Sequence, residues 1–269
     1  MLTFLFWNMN RKPLSEAIAA IANAELVDIL MLAECPIEPA DLLRTLNREE
    51  PAYHFAPGQN EKIPMFARFP GRYLPAVYES DRISIRRLML PPIDDVTLVV
   101  VHFPSKFFWD DASQMMECTV LANTITEVEK KLGHRRTILV GDLNMNPFEE
   151  GVVGAAGLHA VATRAIAGRN ARAVQGRSYP FFYNPMWGHF GDASARPAGT
   201  YYYERAEHVN YFWNNFDQVL VRPELLDRFR SDQLRILDRA GDLSLSLDDG
   251  RPDRDKASDH FPLLFTLDL

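Results

Sequence analysis

Short runs of uninterrupted apolar residues, each closed by a polar or turn residue, recur along the chain and predict buried strands. They fall near Thr3–Asn8, Asp28–Ala33, Ile63–Arg68, Ile83–Leu88, Thr97–His102, Thr137–Gly141, Phe216–Val221 and Phe261–Leu267. Between the first two the period changes. Leu14, Ile18, Ile21 and Ala22 share one face at helical spacing, and Pro13 suits the first turn. A second helix is expected over Pro39–Asn47, where Leu42, Leu43 and Leu46 repeat. The clearest helix runs from about Ala112 to Leu132. It has Asp111 as N-cap with Gln114 three residues on, a stripe of Cys118, Leu121, Ala122, Ile125 and Val128, and a stop at Gly133. A short helix is expected to begin at Pro223.

The connections between these elements bear on topology. Phe66 to Leu88 has room for two or three strands and no helix, so strands must pair antiparallel within a mixed sheet. One stretch stands apart. From about 164 to 215 strand signals are few, arginines cluster at Arg164, Arg169, Arg172 and Arg177, and aromatic residues then crowd in from Tyr179 to Trp213. It reads as a long arginine- and aromatic-rich insertion in a single domain over 1–269, suited either to gripping phosphates and stacking bases or to packing on the core.

Composition narrows the class. At 269 residues the chain can bury a sizeable core, and 47% apolar with 24% charged residues is ordinary for a folded protein. A formal charge of −7 gives no global basic field to attract nucleic acid, yet it fits an enzyme that gathers carboxylates around a divalent cation. Arginine outnumbers lysine, which suits bidentate phosphate contacts, although genome composition produces the same bias. Cys35 and Cys118 lack metal-site spacing and read as reduced, packed thiols. The apolar start is short and has no basic leader, and no run is long enough to span a bilayer. The expected address is the cytoplasm, and no obligate protein partner is inferred.

The residues that end the apolar runs carry the chemistry. Asn8 follows Leu2–Trp7, Glu34 follows Ile29–Ala33, and His102 follows Leu98–Val101. Asp142 and Asn144 follow Ile138–Gly141, Asp217 opens Phe216–Val221, and Asp259-His260 precedes Leu263–Phe265. Any one of these is a capped strand end. Together, all acidic, amide or imidazole, they point to one site fed by strands from the whole chain.

Taken as an ordered set, six stretches resemble the endonuclease/exonuclease/phosphatase superfamily of DNase I-like proteins. They are Phe6-Trp7-Asn8-Met9-Asn10, Leu32-Ala33-Glu34, Val101-His102-Phe103, Gly141-Asp142-Leu143-Asn144, Phe216-Asp217-Gln218-Val219 and Ser258-Asp259-His260. The resemblance implies an α/β fold, a four-layer α/β/β/α sandwich of two mixed sheets flanked by helices, with the site at one end. It also implies Mg²⁺ or Mn²⁺ as cofactor. Glu34 offers the hard carboxylate oxygen such ions prefer, with Asn8 and Asp259 as neighbouring oxygen ligands. Asp142 would take a proton from the attacking water, with Asn144 beside it to orient water or phosphate. His260 would donate to a phosphate oxygen with Asp217 holding its ring, and His102 would stabilise the phosphate or protonate the leaving oxygen.

Arg68, Lys106 and Asn146 are expected to contact substrate. His54, His134, His159, His189 and His208 have no evident partners and read as solvated or hydrogen-bonded side chains. The chain departs from the phosphoinositide phosphatases at Asn214-Asn215-Phe216-Asp217-Gln218, lacks the run by which abasic-site enzymes hold a lesion, and lacks the disulfides of secreted DNases. What remains resembles a bacterial-type branch. The expected reaction is in-line water attack on a phosphodiester, nucleic acid being the preferred substrate. The rivals are a phosphatase or phosphodiesterase acting on a small phosphorylated metabolite or lipid headgroup, and a catalytically inactive binding module.

Overall fold

The apolar runs become strands because each is buried on both faces, and the polar residues that close them all emerge at strand ends. A computed structural model describes residues 1–106, 109–191 and 197–269. The first half of the chain runs β1 (Leu2–Asn8), α1 (Ser15–Ala24), β2 (Ile29–Ala33), α2 (Pro39–Leu46), β3 (His54–Ala56), β4 (Met65–Ala67), β5 (Ala76–Glu79), β6 (Ile83–Leu88), β7 (Val96–His102), α3 (Asp111–Leu132) and β8 (Thr137–Asp142). The second half is more broken. It comprises α4 (Glu150–Val153), β9 (Ala160–Val161), α5 (Arg164–Ala167), β10 (Ala171–Val174), β11 (Arg177–Pro180), β12 (Phe182–Tyr183), β13 (Tyr201–Tyr202), β14 (Trp213–Asn214), β15 (Asp217–Val221), β16 (Arg235–Ile236), β17 (Arg239–Ala240), β18 (Leu243–Ser244) and β19 (Leu263–Leu267).

Two mixed sheets result. One has the order β16-β19-β1-β2-β4-β3 and the other β5-β6-β7-β8-β15-β12-β9. In the first, β1 pairs antiparallel with β19 and parallel with β2, so the two ends of the chain lie side by side. In the second, β8 is parallel to β7 and antiparallel to β15.

Alternation along the central strands builds the layers. Leu98, Val100, Ile138, Val140, Val219 and Val221 join the core that holds Phe4, Phe6 and Met31 of the opposite sheet. The intervening Val99, Val101, Leu139 and Leu220 pack instead on Cys118, Leu121 and Ile125 of α3. With α1 burying Ala17, Ile18 and Ile21 against the first sheet, the arrangement is the expected four-layer α/β/β/α sandwich. Each fully buried Leu or Val contributes about 1.5–3 kcal/mol, so the interleaved faces set both layer order and register.

Several local expectations are corrected. α1 starts at Ser15, not at Pro13, because Leu14 is non-helical and the first helical bond runs from the Ile18 N–H to the Leu14 carbonyl. The N-cap of α3 is Asp110, whose carboxylate accepts from the Ser113 N–H; Asp111 lies within the helix. Its end is as expected, with Gly133 left-handed at φ 75°. The helix expected at Pro223 is a single 3₁₀ turn, Pro223–Leu225.

The 164–215 stretch, expected to be poor in structure, contains α5, the β10–β11 hairpin and β12. The last of these pairs with both β15 and β9 inside the second sheet. Strands of two to four residues are too short for an alternation signal to register. Residues 192–196 of the stretch lie outside the described residues. Among the described residues no helix is long and apolar enough to cross a membrane.

Candidate active site

Register places the first three chemical groups in a row. His102 pairs with Asp142 across β7 and β8, and Asp142 pairs with Asp217 across β8 and β15. The close approach of β7 and β8 there depends on Gly141. Its φ is 151°, and a Cβ would lie 2.0 Å from the Val101 carbonyl oxygen. The opposite sheet presents Asn8 level with Ala33, and Glu34 follows in a left-handed conformation at φ 48°. Asn144, two residues past Asp142, is left-handed as well, at φ 50°. Strained non-glycine backbone of this kind persists where the surroundings over-determine it.

Asp142 is the hub. Its Oδ1 accepts from the Asn144 backbone N–H at 2.8 Å, and its Oδ2 accepts from Asn8 Nδ2 at 2.9 Å, joining the two sheets. The Nε2 atoms of His102 and His260 each stand 3.9 Å from that same Oδ2. His260 Nδ1 meets Asp217 Oδ2 at 2.8 Å, and the other Asp217 oxygen, though buried, has no hydrogen-bond partner among the described residues. His102 Nε2 lies 3.3 Å from Glu34 Oε1, and Arg11 Nε is 3.5 Å from Glu34 Oε2. Asn8, Glu34, His102, Asp142, Asp217 and His260 are thus brought to one spot, with Glu34 and His102 the partly exposed members.

The charges reinforce one another. Burial works against charging His260, yet Asp217, Asp142 and Asp259 outweigh it and raise its pKa to about 10. Burial likewise opposes protonation of His102, but Glu34 and Asp142 shift it upward overall. The hydrogen bond from His102, with help from its charge and that of Arg11, holds the Glu34 carboxyl below its ordinary range. Asp142 moves the other way: burial raises it, only partly opposed by His260. A buried carboxylate lifted toward neutrality beside two readily protonated imidazoles is equipped to exchange protons.

The other expected site residues stand as follows. Asp259 is partly buried, and its charge acts on His260 and on Tyr201. Arg68 is at the wrong end of its sheet. β4 runs antiparallel to β2, so Arg68 sits by Asp28, at the start of β2, while Glu34 follows its end. Lys106 is held by Asp111 and Glu149. Asn146 is buried and uses its amide structurally, donating to Asn214 Oδ1 at 2.8 Å and accepting from the Asn215 N–H at 3.0 Å. It positions the turn before Asp217.

A second candidate group stands beside the expected ligands Asn8, Glu34 and Asp259. Among the described residues, the group of acidic, imidazole and thiol side chains close enough to hold an ion together is Asp142, Asp217 and His260, with ligand atoms within 4.8 Å of one another. His260 Nδ1 is already bonded to Asp217 in that group, whereas Glu34 keeps an ionised and accessible carboxylate.

Several contributors were not recognised in the sequence. Ser258 Oγ donates to the Asn8 carbonyl at 2.6 Å and accepts from the His260 N–H at 3.1 Å, tying both ends of the chain together. Trp7 Nε1 donates to the His260 carbonyl at 2.8 Å. Tyr201 packs on the His260 ring with centroids 4.7 Å apart and on Phe216 at 5.2 Å. Thr200 Oγ1 accepts from the Asp217 N–H at 3.2 Å. Trp7 and Ser258 flank residues the strand-end pattern marks; nothing local marks Thr200 or Tyr201.

A family model described as the endonuclease/exonuclease/phosphatase family matches residues 5–260, nearly the length of the chain. The chain belongs to that family. Membership supports a phosphoesterase. Solved structures agree on the fold. A family protein from Bacteroides thetaiotaomicron is similar at 14% identity and TM-score 0.59, covering 99% of this chain and 94% of that one. TDP2 of D. rerio, complexed with a single-strand DNA product, is similar at 13% identity and TM-score 0.56, covering 98% of each chain. An AP endonuclease from Archaeoglobus fulgidus is similar at 14% identity and TM-score 0.53 over the whole of both chains. A search of the curated proteins finds no match.

Proposed function

We propose that the chain is a divalent-metal-dependent nuclease that hydrolyses phosphodiester bonds by direct attack of water. The observation that carries this reading is the convergence of Asn8, His102 and His260 on the single buried oxygen Oδ2 of Asp142.

Glu34 fits a hard cation best, being ionised, partly exposed and an oxygen donor, and Asn8 and Asp259 are the further oxygen ligands of this reading. Bound there, Mg²⁺ or Mn²⁺ would supply Lewis-acid polarisation of the phosphoryl oxygen. The chain's own residues handle protons and orientation. Asp142 accepts a proton from water as the water oxygen bonds to phosphorus, assistance worth roughly 10²–10⁴ in rate. His260, held cationic and oriented by Asp217, donates to a non-bridging oxygen. His102 gives its proton to the ester oxygen as the P–O bond breaks, leaving a phosphomonoester and an alcohol. Asn144, its backbone N–H on Asp142 and its Nδ2 on the Phe103 carbonyl, fixes the carboxylate's direction.

Nucleic acid is favoured as substrate by the Tyr201 ring packed on His260 and the aromatic-rich 164–215 stretch that carries it, and a TDP2 of the same fold holds a single-strand DNA product. The net charge of −7 favours the second reading, a small phosphorylated metabolite. Hydrolysis of DNA, RNA, nucleotides and phosphorylated inositols, with Mg²⁺, with Mn²⁺ and with chelator, separates the two. The nuclease reading expects oligonucleotide cleavage that chelator abolishes, and Glu34→Gln should raise the metal concentration needed about tenfold or more. Cleavage indifferent to chelator and to Glu34→Gln would remove the metal from the scheme.

A further inference from the structure

Away from Asp142, at the β9 edge of the second sheet, lies a cavity of about 530 Å³ between β9, α5 and the β10–β11 hairpin. That is the size of an ordinary small-ligand pocket. Its wall is aromatic: His159 and Phe181 stack with centroids 4.2 Å apart, and Trp187, partly exposed, stands at the lip. His159 is nine-tenths buried and more, left-handed at φ 51°, and kept in its neutral form by that burial. The wall is therefore an uncharged ring surface. Ile166 adds an aliphatic side, and the rim carries Arg169 and Arg172. Among the described residues no acidic side chain lines the cavity, in a chain whose net charge is −7. Among the described residues no carboxylate pairs with either guanidinium.

We infer that this cavity binds a nucleotide unit of the substrate strand, the base against the Phe181–Trp187 wall and the phosphate on Arg169 and Arg172. Aromatic rings in the lining with two guanidinium groups among them match an aromatic base bearing a phosphate. Trp187 also leads back to the catalytic end. Phe148, six residues beyond Asp142 on the same segment, packs edge-on against Trp187 at 6.2 Å and against Tyr211 at 5.2 Å. Through Tyr183 and Val221, Val161 is level with Ile138. The cavity floor is therefore three strands across and four residues along from Asp142, roughly 20 Å at ~4.8 Å per strand and ~3.3 Å per residue. At the ~3.4 Å rise per nucleotide of a stacked, helical strand, that distance corresponds to about six nucleotides, and to fewer for an extended strand. The inference deepens the nuclease reading by giving the enzyme a second grip beyond the scissile bond, and the strand reading of the cavity rests on it.

The test separates the two ideas by measuring binding with hydrolysis switched off. The full chain in chelator is titrated with a nucleoside 5′-monophosphate, the corresponding nucleoside and inorganic phosphate. The monophosphate should bind at least tenfold more tightly than either fragment. The exposed double variant Arg169→Ala/Arg172→Ala should weaken it about tenfold or more, and Trp187→Ala should weaken it as well. Unchanged affinity in the double variant, or phosphate alone binding as well as the nucleotide, overturns the proposal. With metal present, the advantage in kcat/KM of a single-stranded 12-mer over a trinucleotide should fall in the double variant. The salt slope of 12-mer binding should drop by about 1.4, two contacts at ~0.7 each. If nucleotide binding is lost while the length advantage and salt slope stay, the cavity serves free nucleotides and the strand path is overturned. A wild-type chain that binds the monophosphate but cleaves no diester refutes the nuclease reading and the strand path, and leaves the cavity's ligand chemistry standing.

Discussion

β15 is five residues long and carries buried charge at both ends, yet the two ends do different work. Asp217 opens the strand, and Arg222 follows it directly. Arg222 is fully satisfied. Its guanidinium binds Glu129 at 2.8 Å and the carbonyls of Pro180 and Phe181, and it stacks 3.8 Å over the Phe182 ring. Asp217 is not: one oxygen holds His260 and the other has no partner among the described residues. A buried charge whose every polar atom has a partner serves to hold the structure together, and exchanging it with its partner for well-packed apolar groups is often harmless. A buried charge left partly unmatched, beside imidazoles that readily change protonation, can do chemistry. The contrast separates a structural charge from a reactive one on a single strand.

The most severe way to probe the contrast acts on Asp142, the β8 residue paired with the reactive end of β15. Asp142→Asn should lower kcat by roughly 10²–10⁴ in steady-state hydrolysis of a diester while the thermal midpoint moves little. Loss of folding in place of activity would mean the site end is structural too. At the other end, Arg222→Met strands Glu129 and should cost about 3–5 kcal/mol in urea unfolding, with kcat preserved where the protein remains folded. The double change Arg222→Met/Glu129→Leu should recover most of that stability; no recovery would show that the pair is more than mutual neutralisation.

A sharper test uses pH. The His260 pKa is raised in the folded protein, so its imidazolium stabilises the fold fully below the unfolded value of about 6.5, and that contribution is lost as pH rises through about 10. Activity that needs this imidazolium should persist above neutrality and fall on the same alkaline side. Asp217 contributes the largest upward influence, so Asp217→Asn should move the alkaline limb of the kcat/KM profile toward neutral pH. An unmoved limb would assign it to another group. The smallest expected effect is that of Ser258→Ala. Removing the hydroxyl that bridges Asn8 and His260 should cost about 1–3 kcal/mol in urea unfolding, with a modest fall in kcat.

The strand-end pattern made much of the site legible. Asn8, Glu34, His102, Asp142, Asp217 and His260 each adjoin an apolar run, and a run buried on both faces must release its polar neighbours at the sheet's rim. Strand direction is not legible in the same way. Arg68 also closes a run, but the antiparallel turn of β4 takes it to the far rim. Nor do two-residue strands such as β9 and β12 carry any period, and with them the sheet edge that forms the cavity wall went unseen. Asn146 is expected at phosphate because it closely follows Asp142 and Asn144; the turn at Asn214-Asn215, nearly seventy residues away, claims its amide.

The amino-acid sequence by itself determined which residues are apolar enough to be buried, where those runs stop, and hence which chemical groups stand at the ends of the sandwich. Only the tertiary structure decided which ends coincide. Register across β7, β8 and β15 and the pairing of the first strand with the last are set by many small contacts between segments far apart in the chain, each worth little until all are made together.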